Sequence, residues 1–197
     1  MARRNDHTKE EIREMVVSSG LAIINKSGFS GFSMRQIAKE IGYTVGTLYN
    51  VFESYDDIVL HINAVTLDDM RKFIEESLNP KLKNVKAIKQ LAKLYIDFAH
   101  KNRNSWSALF EYNIPAELDL PEWYNQRIEK LFSIVEGRLL EFISKKPESL
   151  KHAKVIWASI HGICVLSLTQ KLNIAGTASV EVLTDSLIEN YLRGLEK

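Results

Sequence analysis

The sequence predicts an all-α protein, and three observations predict it. Apolar residues recur at spacings of three and four along most of the 197 residues, and no sustained two-residue alternation marks a strand. Four prolines, Pro80, Pro115, Pro121 and Pro147, cut the later two-thirds into helix-length pieces. The apolar fraction is 45%, ample for a core that such amphipathic pieces can enclose. Read this way, the chain holds about nine helices and no internal repeat.

The first helix runs from residue 8 to about 27. Thr8 followed by Glu11 has the spacing of a capping box, and Ile12, Met15, Val16, Leu21 and Ile23 line its apolar side. Residues 28–32, Gly-Phe-Ser-Gly-Phe, form a loop whose aromatics anchor it to the next helix. Ser33 is placed to cap helix 2, where Ile37, Ala38 and Ile41 make one short apolar face, and Gly42 suits the left-handed position that ends it. Thr44 can cap helix 3, with Leu48 and Phe52 four apart on its buried side. The opposite face carries Thr47 and Asn50, with Thr44, Val45 and Gly46 at its N-terminal end. Two short helices joined by a tight turn, the second with a small and polar outer face, make a helix-turn-helix. Its second helix offers its N-terminal residues to the major groove of DNA.

A longer fourth helix starts near Asp56 and continues through Ile58, Ile62, Val65, Met70 and Ile74 to about Leu78, with Asp56 and Asp57 at its positive end. Further helices are expected at about 84–101, 104–113, 122–145, 149–172 and 179–195. The last two are the most apolar. Ile156, Trp157, Ile160, Ile163, Cys164 and Leu168 cover more than one face, and such a helix must be buried on several sides.

Composition excludes more than it selects. The net charge is +1, split as +2 over residues 1–52 and −1 over the remainder, an asymmetry too weak to indicate DNA by itself. Cys164 is the only cysteine, so no intrachain disulfide or cysteine-rich zinc site can form. The polar N-terminus has no apolar segment of a signal peptide, and no apolar run reaches the ~18 residues of a membrane span. A cytoplasmic protein without membrane contact is the expectation. The five histidines are scattered, with no metal-binding pair spacing, and there is no nucleophile elbow or cofactor fingerprint. No catalytic residue, metal or cofactor is therefore expected. Cys164 sits in an apolar helix and reads as packing. Arg3 and Arg4 precede helix 1, either as a basic arm toward DNA or as a solvated start.

Ile-Ala-Lys-Glu-Ile-Gly-Tyr-Thr-Val-Gly-Thr-Leu-Tyr-Asn-Val-Phe, residues 37–52, with its flanks closely resembles the TetR family of transcriptional regulators. The match covers roughly residues 8–60. The resemblance implies an N-terminal helix-turn-helix domain over residues 1–54 and a regulatory domain over 55–197 that binds ligand and dimerises. It implies that Thr47 and Tyr49 hydrogen-bond phosphates, which set register rather than sequence. Ser33, Arg35, Thr44, Val45, Gly46 and Asn50 complete the expected contact surface. Arg35 would meet a phosphate or a base edge, and Asn50 is the best placed to read a base, since an amide pairs bidentately with adenine. The family usually carries lysine where this chain has Tyr55. A hydroxyl there donates to a phosphate without charge, so a shallower salt dependence of binding is expected.

The resemblance also implies a homodimer through helices at about 149–172 and 179–195, which pair with their copies. Trp157-x-x-x-His161-Gly162 is similar to the motif of one TetR subgroup named for those three residues. Trp106, Phe110, Trp123, Tyr124, Trp157 and His161 lie where the family binds inducers. They describe either a pocket for a small apolar or aromatic ligand or an ordinary helical core. His161 would hydrogen-bond a ligand or be satisfied within the core. The function expected is a repressor on a palindromic double-stranded operator, released by a small molecule. The alternatives are an architectural or cell-division DNA-binding factor without inducer, and an enzyme, which would need a constellation the sequence does not contain.

Overall fold

The computed structural model describes residues 7–140, 142–143, 146–172 and 178–195, so Arg3 and Arg4 lie outside the described residues. The described residues include nine α-helices and one 3-10 turn, with no strand among them. They are α1 (Lys9–Ser27), the turn Phe29–Gly31, α2 (Met34–Ile41), α3 (Val45–Tyr49), α4 (Tyr55–Ser77), α5 (Asn84–Lys101), α6 (Arg103–Glu111), α7 (Glu122–Leu139), α8 (Lys146–Leu168) and α9 (Val180–Leu195).

Local chemistry explains the first boundaries. Thr8 accepts from the Glu11 amide at 3.2 Å while its own amide donates to the Glu11 carboxylate at 2.6 Å, a complete capping box. Ser33 accepts from the Gln36 amide at 3.3 Å and starts α2. Gly42 ends it at φ 76°, a left-handed conformation that glycine adopts without a Cβ penalty, and the Tyr43 amide then reaches back to the Ala38 carbonyl at 2.9 Å.

Later boundaries depart from the expected ones. α7 stops at Leu139 instead of about 145, because its last turn tightens and the Phe142 amide donates to the Leu139 carbonyl three residues back at 2.8 Å. α8 begins before 149 and ends at Leu168 instead of 172. Pro147 is not a break between helices but the second residue of α8. In a first turn the missing N–H has no intrahelical partner to lose.

Backbone contacts divide the chain into two compact units. One combines residues up to Thr66 with Asn102–Tyr124; the other combines Leu67–Lys101 with residues from Asn125 onward. The first unit encloses Val16, Ile24, Ile37, Leu48, Phe52, Ile58, Ile62 and Ala108. Leu48 is fully buried, and burying one such side chain stabilises by about 2 kcal/mol. That anchor matters because five-residue α3 is too short to hold its own shape. Helix approach is close at Gly20, where a Cβ would lie 2.4 Å from Ile62 Cδ1 and 3.3 Å from the Phe32 ring.

In the second unit α5 packs on both α8 and α9 around Ile88, Phe98, Ile156, Cys164, Ile188 and Leu192. Lys89 on α5 bridges Asp185 and Glu189 of α9, and the His152 ring on α8 shares a 2.6 Å hydrogen bond with the Tyr191 hydroxyl. No helix among the described residues is long and apolar enough to cross a membrane.

Candidate nucleic-acid interface and aromatic clusters

α3 presents the residues expected to face DNA. Thr44 caps it, accepting from the Thr47 amide at 3.2 Å, and the two threonine hydroxyls lie 3.0 Å apart. Thr44, Gly46, Tyr49 and Asn50 are exposed, while Val45 and Thr47 are partly covered. Tyr49 is 46% exposed, a large ring left in solvent on an otherwise small-residue face. Ser33 and Arg35 are exposed at the start of α2. Gly46 is not required by the fold: a Cβ there would find nothing nearer than Thr44 Oγ1 at 3.7 Å. Thr44, Tyr49 and Asn50 thus leave hydrogen-bonding side chains exposed at and around this short helix.

Tyr55 lies deeper than these side chains but close enough to Tyr49 for the two phenols to interact. Its ring is half-buried, 6.0 Å from the Phe32 ring and 6.5 Å from the Tyr112 ring, and burial raises its phenol above the usual range. Tyr112 donates to Asp56 Oδ1 at 2.6 Å. Burial and that bond both hold its phenol protonated. The same unit joins α6 to α1 through Asn104, which donates to the Asn25 carbonyl at 2.8 Å.

The six aromatic and histidine residues expected to bind ligand fall into different units. Trp106, Phe110, Trp123 and Tyr124 belong to the first. Trp106 is buried with its ring 5.0 Å from that of Phe110, which is itself 39% exposed. Trp123 lies 4.5 Å from the His61 ring. Tyr124 is buried, which pushes its phenol up to about 12. Trp157 and His161 belong to the second unit, one helical turn apart with rings 5.5 Å from each other. Phe132 closes on Trp157 at 5.6 Å, and the Tyr95 hydroxyl shares a 2.9 Å hydrogen bond with His161 Nδ1. Burial lowers the His161 pKa, so the ring stays neutral. Among the described residues Gly162 makes no close approach: none of them beyond its own helix backbone and chain neighbours lies within 4 Å of where its Cβ would be.

Sequence spacing misses two features here. Phe132 completes the Trp157 cluster from another helix, with no motif to announce it. Between α5 and α9 lies a groove of about 390 Å³, walled by Lys89, Lys93, Asp97 and Asp185 rather than by aromatics. Lys89 and Lys93 are already engaged by carboxylates, which raise both above the ordinary lysine range. The Cys164 thiol is buried and pushed up to about 12, so it is an inert packing group. Among the described residues no three His, Cys, Asp or Glu side chains converge to hold a metal ion.

The comparisons with known proteins agree with this geometry. The family model described as bacterial regulatory proteins, tetR family, matches residues 16–62, and the one described as Tetracyclin repressor-like, C-terminal domain, matches residues 88–191. An uncharacterized HTH-type transcriptional regulator of Mycobacterium tuberculosis, Rv0681, is 21% identical over 85% of this chain and 75% of its own length. A protein of unknown function from Rhodococcus sp. RHA1 shares the fold at a TM-score of 0.73, with 17% identity and complete coverage of both chains. A TetR-family member from Streptomyces coelicolor A3 follows at 0.62, with 16% identity over 92% of this chain and 98% of that one. The multidrug binding protein EbrR, complexed with imidazole, follows at 0.60, with 15% identity over 91% and 93%. With a helix-turn-helix at one end and a matched helical domain over more than half its length, the chain belongs to the TetR family of transcriptional regulators.

Proposed function

We propose that this regulator is a homodimeric repressor that leaves a pseudo-palindromic operator when a small apolar or aromatic molecule binds its regulatory half. The observation that carries the reading is the surface of α3, where Thr44, Gly46, Thr47, Tyr49 and Asn50 stand together on a helix fixed from behind by buried Leu48. Thr47 and Tyr49 hold phosphates and Asn50 reads a base, with Arg35 and Ser33 beside them. Val45 packs on a thymine methyl. Tyr55 is the outer rim of this surface, an uncharged donor in place of a lysine.

Dimerisation is supported by α8. Val155, Ala158, Gly162, Val165 and Leu166 recur at helical spacing and are exposed, as is Val182 on α9. An apolar stripe of that length on two adjacent helices is a surface that a second copy covers. Two heads about 34 Å apart then meet successive major grooves. Ligand response is supported by the first unit, where α6 carries Trp106 and Phe110 yet bonds directly to α1 and is followed by Tyr112 on Asp56. Any rearrangement of α6 is felt at the base of the head. A ligand shifts the equilibrium only as far as it prefers the non-binding state. The Trp157, His161 and Gly162 spacing is taken as the subgroup motif, with His161 the polar tip of the second aromatic cluster.

A selection of bound duplexes from randomised DNA tests the head. The wild type is expected to enrich one palindromic sequence, and Thr47→Ala/Tyr49→Ala to bind it about 100-fold more weakly with an unchanged helical spectrum, as for two lost charge-assisted hydrogen bonds. No enrichment, or an undiminished double variant, rejects the reading.

A further inference from the structure

The rear of the recognition helix is held by one side chain from α1. Arg13 donates from Nη2 to the carbonyl of Val51 at 2.9 Å, just beyond the C-terminal end of α3. Its guanidinium lies over the Phe52 ring at 4.8 Å from the centroid, and Phe52 is the buried anchor that follows α3. The other nitrogen, Nη1, reaches His61 Nε2 on α4 at 3.2 Å. A guanidinium has donors only, so Nε2 must accept and the proton of the imidazole sits on Nδ1. There it donates to the Asp57 carbonyl at 2.8 Å, with the Asp57 carboxylate 3.0 Å away. That carboxylate is itself fixed by the Glu53 amide at 3.1 Å. The Phe52 ring meets the imidazole edge-on at 5.3 Å and the Trp123 ring lies tilted at 4.5 Å.

We propose that Arg13 is a positioning residue for the recognition helix and that it holds only while His61 is neutral, so that protonation of His61 weakens DNA binding. The inference rests on the reading of the head as the DNA-binding unit. A second proton on His61 has one place to go, Nε2, where it removes the acceptor and sets a cation 3.2 Å from the guanidinium. The charged groups around the ring decide which partner leaves. From α4, Asp57 attracts the imidazolium at 3.0 Å and keeps it in place. From α1, Arg13 repels it, and Glu10, 3.8 Å from Arg13 Nε, offers the guanidinium an alternative partner toward solvent. Phe52 and Trp123 do not titrate. Arg13 is therefore the group displaced, the Val51 carbonyl loses its tether, and α3 is free to tilt on its single buried leucine. The sign is diagnostic. Adding positive charge to a DNA-binding protein ordinarily tightens binding to phosphates, whereas loss of this clamp loosens it. Histidine is the side chain that changes charge within the range a cell experiences.

The test uses the full-length protein and a labelled duplex selected by it from randomised DNA, titrated at constant ionic strength. Wild-type affinity, compared at a basic and an acidic pH, is expected to fall about tenfold on acidification, the size of one lost charge-assisted hydrogen bond. His61→Gln keeps an acceptor for Arg13 but cannot titrate, so it should bind as the wild type does at high pH and stay flat. Arg13→Lys, which cannot fork between Val51 and His61, should bind weakly at both pH values. His7→Gln, at the other histidine of this unit, should keep the wild-type slope. A wild type that is flat or tightens on acidification overturns the proposal, as does a His61→Gln that retains the slope or a His7→Gln that abolishes it. Should the protein bind no duplex, the DNA reading fails by itself, and the clamp is judged by the imidazole nitrogen spectrum of the free protein. Protonation at Nδ1 supports it and protonation at Nε2 overturns it.

Discussion

The head and the α8–α9 pair solve opposite problems with the same kind of helix. In the head, the large aliphatic residues of α2 and α3 turn mostly inward, and what remains outside α3 is small or polar apart from the Tyr49 ring and part of Val45. Its core and its working surface are separate sets of residues: Leu48 and Phe52 against Thr44, Thr47 and Asn50. On α8 the outer surface is apolar as well, with Val155, Val165 and Leu166 exposed while Ile156, Ile160 and Cys164 fill the core. A polar outer face is finished when the chain folds. An apolar outer face is finished only when something covers it. The lesson is that a family can keep one region as a self-sufficient reader and leave the other dependent on a partner.

That contrast breaks most sharply at Leu166. It is 43% exposed, so Leu166→Glu should leave the monomer fold intact while placing a charge in the surface assigned to the second copy. Sedimentation should show monomers, and operator affinity should collapse by orders of magnitude as two linked heads become two independent ones. A dimeric variant with wild-type affinity would assign the interface elsewhere.

A smaller effect sharpens the other side. Gly20→Ala adds a methyl 2.4 Å from Ile62 Cδ1 in the closed core of the head, with the Phe32 ring at 3.3 Å as well. Overpacking there should cost about 1–3 kcal/mol, read from denaturant midpoints. The equivalent change at Gly162, where among the described residues nothing beyond its own helix backbone and chain neighbours lies within 4 Å, should not destabilise the monomer.

The smallest effect is set by pH. Burial lowers the folded-state pKa of His161 below the ordinary 6.5, so the unfolded chain binds the proton more tightly. The stability this neutral ring contributes is present above pH 6.5 and is lost as pH falls from there toward the folded value. Thermal melts should show a decline on acidification that is less steep in His161→Gln. An identical decline in both would place its origin in other groups.

Much of the head was legible because its determinants are local. Thr8 with Glu11, Ser33, Gly42 and Thr44 each act on a nearby turn, and the structure uses each as the cap expected of it. What sequence could not show is long-range. Arg13 and His61 are 48 positions apart, and nothing in either neighbourhood announces that one must accept what the other donates. The six aromatic and histidine residues grouped by the family resemblance divide between two units, because helical spacing fixes a residue's face and not its neighbour. Pro147 was misread for a simpler reason: proline both ends and begins helices, and only the backbone tells which.

Gly46 has a consequence for how such a reader can change. Two of the contact positions are already committed within the chain: Thr44 to the cap and Thr47 to Thr44. Gly46 is exposed in an ordinary helical conformation, and a Cβ there would meet only Thr44 Oγ1, at an ordinary contact distance of 3.7 Å. A side chain acquired there would alter the surface offered to a base pair without disturbing a cap or a packed neighbour. The head therefore carries a spare position, from which a lineage of duplicates could come to read different operators one substitution at a time while the scaffold beneath them stays the same.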